Sequence, residues 1–449
     1  MGHVDLRQRV FARLWGVAAL AHIAGNPAYG GLIPSAEPVG VLLALLGLVA
    51  TGVILRPGRA AVLVLMVLVV LSALAEAPVL GNHWLLAALL ALAYLLTGGA
   101  WHRFEPAARA GLLVFYSFAA FAKLNTGFLD PVTSCGVFHL DQAIGAVGLA
   151  PVDPGSVPAL LAVWGPAVIE LSVPVLLLLR PTRRVGVLVA VGFHTALSFD
   201  PAQHFYDFTA VLLPLFLLFL DDATFVRIDR WGRAGAGRAR SWLRAAVLVV
   251  GVTTTTASVL PASRGSAAWL ESGSFLWWTG YVALVFFAMV GPGRVARLSW
   301  RVGPAGVALA VLVAANGLSP YLEVKSAYGW NMYSNLVVVD GTSNHLLVPA
   351  WPLRAGHQDL VRVLATDDPG LASYVREDYL LPWPTFRTYL TNRPDSSVSY
   401  RRAAETVVVD RVGDSDLGAP VPWWWRWLPL RSVHRTAPAT CQDAFLPAL

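Results

Sequence analysis

Six ionisable side chains lie inside long apolar stretches: His22, Glu76, Lys123, Glu170, His194 and Asp207, with His83, Asp200 and His204 at the ends of others. An ionisable group in hydrocarbon costs several kcal/mol, so each marks either chemistry or a helix contact. Lys123 is the most informative. The chain has 33 basic residues, and only Lys123 and Lys325 are lysines. Arginine serves here as the general positive charge. A retained lysine can do what arginine cannot, which is to give up its proton when desolvated. Lys123 follows Phe115-Tyr116-Ser117-Phe118-Ala119-Ala120-Phe121-Ala122, an apolar helix end. Three readings stay open for it: a base, an amine snorkelling to headgroups, or a helix-pairing cation. His194 reads as a hydrogen-bonded structural histidine or a ligand, and Glu170 as a helix-pairing or protonated acid. His204 and Asp207 are near enough in sequence to share a metal, but two ligands do not make a site. No HExxH, Walker, CxxC or Gly-x-Ser-x-Gly motif occurs, so no metal is expected.

The elements that must position these groups follow from composition. Of 449 residues, 56% are hydrophobic and 13% charged, with a mean hydropathy of +0.60. A soluble domain carries roughly 25% charged residues. A soluble enzyme, a disordered chain and a disulfide-dense secreted module are excluded. The expected class is an all-α polytopic membrane protein with a small α+β extracytoplasmic C-terminal domain. Spans of about 20 apolar residues are predicted near 10–27, 38–55, 60–80, 82–99, 107–127, 157–179, 184–200, 204–220, 242–261, 274–291 and 302–318, about eleven helices in all.

The net charge of +6 does not point to nucleic acid. Arginines gather in alternate short loops: Arg7, Arg9 and Arg13; Arg56 and Arg59; Arg103 and Arg109; Arg180, Arg183 and Arg184; Arg227 to Arg244; Arg294, Arg297 and Arg301. This is the positive-inside pattern. It predicts a multi-pass protein of the cell membrane, with a cytoplasmic N-terminus and residues 319–449 outside. The expected organisation is helices one to eight over 1–220, a cytoplasmic linker over 221–241, three helices over 242–318, and the exterior domain over 319–449. There, Asn335–Val339 and Asn344–Val348 flank Asp340-Gly341, a hairpin signal. Ala403–Val412 holds a further β-branched run. Trp423, Trp424, Trp425 and Trp427 suit either a membrane interface or a local aromatic core. Cys135 and Cys441 both fall on the expected exterior, where a disulfide is permitted, and a bond between them is expected; two unpaired thiols are the alternative.

Phe121-Ala122-Lys123-Leu124-Asn125 with Phe128-Leu129-Asp130 resembles the lysine-bearing segment of vitamin K-dependent γ-carboxylases and of the wider bacterial family with the horizontally transferred transmembrane (HTTM) domain. Ile169-Glu170-Leu171-Ser172-Val173-Pro174 is similar to that family's acidic helix. Phe193-His194-Thr195-Ala196-Leu197-Ser198-Phe199 is similar to its Phe-His helix. Asn331-Met332-Tyr333-Ser334-Asn335-Leu336 and Ser343-Asn344-His345-Leu346-Leu347 resemble a motif after the last helix of bacterial members. The likeness spans most of residues 10–350. It implies a quinol-dependent, carboxylase-like (carbon–carbon lyase) activity at an outer-leaflet site. Lys123 would be the base and His194 its catalytic partner, with His22, Glu170 and Asn125 binding a reduced menaquinone or vitamin K hydroquinone. The implied partners are the lipid bilayer and a protein or peptide substrate outside the cytoplasm. The chain departs from the carboxylases in its short exterior region and in three extra helices after residue 241, which weighs against protein carboxylation. The alternative is a non-catalytic membrane protein, a transporter or an accessory or immunity factor, on the same scaffold.

Overall fold

A computed structural model describes residues 5–25, 36–78, 80–200, 205–233, 238–259, 264–293, 296, 298–353, 359–434 and 438–441. His204, Arg294 and Arg297 lie outside the described residues.

The fold is mostly helical, with a small sheet region at the C-terminus. Helices occupy all eleven expected apolar ranges: α1 (Leu6–Gly25), α2 (Ala36–Leu55), α3 (Arg59–Glu76), α4 (Asn82–Leu96), α5 (Trp101–Phe121), α8 (Val157–Leu178), α9 (Arg183–Leu197), α10 (Phe205–Leu217), α12 (Arg238–Val259), α13 (Arg264–Val290) and α14 (Pro304–Leu318). Short α6 (Thr126–Leu129) and α7 (Cys135–Gly145) follow α5. The expected linker holds a strongly amphipathic helix, α11 (Asp222–Arg233). Among the described residues, α3 and α8 are each long and apolar enough to cross a bilayer; Val39–Leu55, Asn82–Leu96, Phe205–Leu217, Phe275–Val290 and Pro304–Leu318 are shorter apolar helices. Charged turns such as Arg7–Arg13 in α1 and Arg103–Arg109 in α5 interrupt the apolar run in others.

Helices α1 and α10 are buried on nearly every side, as uniformly apolar helices must be. Around them, α2 lies between α1 and α12, α5 packs on α8 and α14, and α9 packs on α8 and α10. The outer helices turn apolar side chains outward at helical spacing. On α3 these are Val64, Val67, Leu71 and Leu74; on α8 they are Leu161, Trp164, Val168, Leu171, Val175 and Leu178. Contiguous exposed apolar faces of this extent mark contact with a membrane or a partner.

Arginines hold one end of the bundle. Arg7 bonds Glu105, Asp222 and the Leu218 and Leu220 carbonyls past the end of α10. Arg109 reaches the Leu218 and Ser299 carbonyls. Arg183 takes the Leu177 and Leu178 carbonyls at the end of α8. The Leu177, Leu178, Leu218 and Leu220 carbonyls lie at or just past helix C-termini, where unpaired carbonyls and the dipole favour a cation. Arg7, Arg109 and Arg183, three of the arginines expected as orientation signals, thus also tie helix ends and loops together.

The C-terminal region covers the other end. Trp330 N donates to Asn82 Oδ1 at the start of α4 (3.1 Å), and Arg426 Nη2 donates to the Leu74 carbonyl of α3 (2.9 Å). The Asp-Gly hairpin forms, with β1 (Val338–Val339) antiparallel to β2 (Thr342–Ser343). Asp340 (φ 54°) and Gly341 (φ 74°) adopt the left-handed pair that such a two-residue turn requires. Beyond it, β3 (Leu360–Thr366), β4 (Leu380–Pro382), β5 (Val398–Arg402) and β6 (Glu405–Val409) form an antiparallel sheet in the order β4-β3-β5-β6. Helices α15 (Pro369–Arg376) and α16 (Trp383–Leu390) complete this α+β unit. Its core of Val361, Leu371, Leu381, Phe386, Leu390 and Val398 is separate from the bundle core. The tryptophan run does not form that core. It is a 3₁₀ turn with no buried member, and Trp423 is 75% exposed.

Candidate functional site

Helix α5 ends at Phe121, and Lys123 follows in the turn that leads to α6. Asn125 shapes this turn. Its Oδ1 accepts from Phe128 N (2.9 Å) as the N-cap of α6, and its Nδ2 donates to the Ala122 carbonyl (2.7 Å) and the Ser334 carbonyl. The motif after the last helix clamps the same turn. Thr126 N donates to the Asn344 carbonyl (3.0 Å), Leu346 N to the Leu124 carbonyl (2.9 Å), and His345 Nε2 to the Phe121 carbonyl (2.9 Å). Leu347 N and Val348 N both donate to His345 Nδ1. His345 is therefore a neutral ring used on both nitrogens, and burial lowers its pKa further.

The clamp fixes where the Lys123 amine points. Lys123 is 8% exposed, and its Nζ lies 2.7 Å from Glu170 Oε2 on α8. His194, 2% exposed on α9, has Nε2 3.0 Å from the Tyr116 hydroxyl on α5. Nδ1 of His194 is buried and has no hydrogen-bond partner. Both polar pairs line one chamber of about 790 Å³, walled mainly by apolar groups including Phe115, Phe128, Phe193, Phe208 and Trp330. His139 of α7 and Asp200 also lie on it, 3.4 Å apart. Leu161 (65% exposed) and Phe199 (42% exposed) are on the same wall, so the chamber reaches the outside of the bundle between α8 and the end of α9.

Of the residues proposed from sequence, Lys123, His194 and Glu170 share this chamber. Asn125 is buried behind it as a positioning residue. His22 is not on its wall. Its Nε2 bonds the Glu76 carboxylate (2.9 Å), and its ring stacks on Trp84. His22 belongs to a second polar cluster with His83 and Asp207. Sequence reasoning missed Tyr116, His139 and that cluster. Tyr116 lies seven residues, about two helical turns, before Lys123 and so on the same face of the run, but among Phe115, Phe118 and Phe121 nothing marks it out from packing.

The expected disulfide is present between Cys135 and Cys441. Asn335 braces it: its Oδ1 accepts from Cys135 N (2.8 Å), while its Nδ2 donates to the Thr133 carbonyl (2.8 Å) and the Ala439 carbonyl (2.7 Å). Five non-glycine residues between 323 and 335 have positive φ: Glu323, Tyr328, Trp330, Tyr333 and Asn335. Such backbone persists only where contacts over-determine it. Here Trp330 Nε1 donates to the Val313 carbonyl (2.6 Å) and Asn331 Nδ2 to the Ser326 carbonyl (2.8 Å). Trp330, Met332 and Tyr333 all face the chamber.

Comparison with family models, curated proteins and solved structures finds no match for this chain.

Proposed function

We propose that the chain is an integral membrane protein of the HTTM type whose chamber receives a lipophilic quinol, with Lys123 as the proton acceptor. The observation that carries this reading is the pairing of Lys123 with Glu170 on a mostly apolar chamber that reaches the outward face of the bundle. The outward apolar faces of α3 and α8 support bilayer contact. The arginine-rich end then faces the cytoplasm, and the C-terminal region lies outside.

The chamber suits such a reactant on two counts. Aromatic walls accept a flat bicyclic ring, and the unpartnered His194 Nδ1 offers a hydrogen bond to one of its oxygens. A quinol, when bound, supplies acidic hydroxyls and reducing electrons. A phenolic proton has a pKa of about 10, so its removal near neutral pH requires a nearby charge to stabilise the product. To accept that proton, Lys123 Nζ would have to be the free amine beside Glu170. Lys123 Nζ would take up a proton there, and the resulting ammonium would be held by the Glu170 carboxylate 2.7 Å away. His194 and Tyr116 orient the ring and exclude water from it.

The test is quinol turnover by the purified chain, comparing Lys123→Ala and Lys123→Arg with wild type. Loss of a positioned base costs about 10²–10⁴-fold, and both variants are expected to show it. An arginine variant as active as wild type removes proton acceptance by the amine. The non-catalytic alternative draws on the same ion pair, because a lysine fully engaged by Glu170 also serves to lock α5 to α8. Quinone binding without turnover would support that reading.

A further inference from the structure

Four helix ends converge away from the chamber wall. His22 ends α1, Glu76 ends α3, His83 begins α4 and Asp207 begins α10. All four are 5% exposed or less. One ring nitrogen from each histidine and one oxygen of Asp207 lie within 4.8 Å of one another. We infer that His22, His83 and Asp207 form a binding site for a divalent first-row transition-metal ion, with Glu76 holding the His22 ring.

Three features argue for an ion over a simple hydrogen-bonded cluster. His83 Nε2 faces Asp207 Oδ2 at 3.1 Å, yet the geometry makes no hydrogen bond. That separation is close to the ligand–ligand spacing of about 3.3 Å around an ion with bonds of about 2.0–2.1 Å. Second, two imidazoles and one carboxylate, all buried, make up a donor set that holds divalent metal ions in proteins with a position left for water. Third, the backbone makes room for both ligands. A Cβ on Gly81 would lie 2.6 Å from the His83 ring, and one on Gly25 would lie 3.1 Å from Asp207 Oδ2. The Glu76 carboxylate on His22 (2.9 Å) is the outer partner that metal-bound histidines usually have.

Imidazole and carboxylate donors without thiolate select Zn²⁺, Fe²⁺ or Mn²⁺ among the common ions. The site is separate from the quinol chamber, yet Phe208 lies between the two. Its ring is 6.0 Å from His83 and 5.4 Å from His194. The inference does not depend on the quinol reading.

The experiment uses the full chain, purified in detergent. Metal content is measured by mass spectrometry, and chelator-treated protein is titrated with Co²⁺ and followed by visible absorption. About one bound ion per chain is expected, with ligand-field bands on Co²⁺ uptake. His83→Ala and Asp207→Asn should each lower affinity by about tenfold or more, whereas Lys123→Ala should leave it unchanged. Wild-type protein that holds no metal and gives no Co²⁺ bands overturns the site, as does uptake that His83→Ala leaves intact. Should the variants fail to fold, X-ray absorption of the wild-type Co²⁺ form decides. A shell containing two imidazoles supports the site, and a shell without imidazole refutes it.

Discussion

Glu170→Gln leaves the Lys123 amine facing an apolar chamber with its anion gone. The two atoms are 2.7 Å apart, and each side chain is 10% exposed, so solvent screens the pair little. Removing one partner of a buried ion pair costs about 3–5 kcal/mol, because the survivor must stay charged without compensation or neutralise. Lys123→Met has the mirror-image effect on Glu170. The double variant Lys123→Met/Glu170→Gln buries no charge and should return to within about 1–2 kcal/mol of wild type. The coupling energy is therefore expected at about 4 kcal/mol or more. An unfolding entropy of about 2 cal/mol/K per residue gives about 1 kcal/mol/K for this chain, so each single variant should melt about 3–5 °C lower. Thermal unfolding in detergent micelles, followed by tryptophan fluorescence, reads this directly. Additive variants, with each single change costing under about 0.5 kcal/mol, would falsify the pairing. Lys123 would then extend to water or headgroups, and the chamber would have no base.

Lys325 follows the last helix of the bundle, and burial pushes its amine down to about 7 from 10.5. The unfolded chain binds this proton more tightly, so stability should rise as pH climbs from about 7 towards 10.5; with each unit worth about 1.4 kcal/mol, up to about 5 kcal/mol is involved. Lys325→Met should flatten that slope and stabilise the protein at pH 7, which melting curves across the range will show. Asn335→Ala removes three hydrogen bonds at a residue with φ 55°. A loss of about 3 kcal/mol is expected at about 1 kcal/mol per bond; Asn335→Gly, which relieves the backbone but not the bonds, should recover only a fraction of it. Chelation of the ion at His22, His83 and Asp207 should lower the melting temperature. At a free metal concentration of 100 times Kd the lost stabilisation is about 2.7 kcal/mol, and a chelator-insensitive melt would contradict an occupied site.

The apolar periodicity announces each long helix because burial needs about 20 apolar residues in sequence whatever the neighbours are. Helices α7 and α11 escape that signal. Helix α7 has eleven residues (Cys135–Gly145), and α11 owes its stability to an amphipathic face against α1 and α13 rather than to hydrophobicity. The hairpin at Asp340-Gly341 is legible because only a few residue types tolerate two successive positive φ angles. The site was legible in residue type but not in partnership. Lys123 and Glu170 stand 47 positions apart, and which side of α8 meets α5 depends on helix rotation, which hydropathy does not fix. The same holds for His22, which sequence order places near Lys123 in depth but whose facing puts it on the α3–α4 side.

The arrangement of the termini explains why polar chemistry collects at one end. Helices α1, α3, α5 and α9 finish there and α4 and α10 begin there, so six helix ends gather above the packed core. Irregular backbone leaves carbonyls and amides that water, side chains or ions must satisfy. The C-terminal region supplies many of these partners through Asn335, Asn344 and His345. It also covers the chamber with Trp330, Met332 and Tyr333. Closed by this segment and by the core beneath, the chamber reaches the exterior beside Leu161 and Phe199 on the apolar flank. A reactant entering there crosses apolar side chains before it meets Lys123, which favours a lipophilic molecule over a charged one.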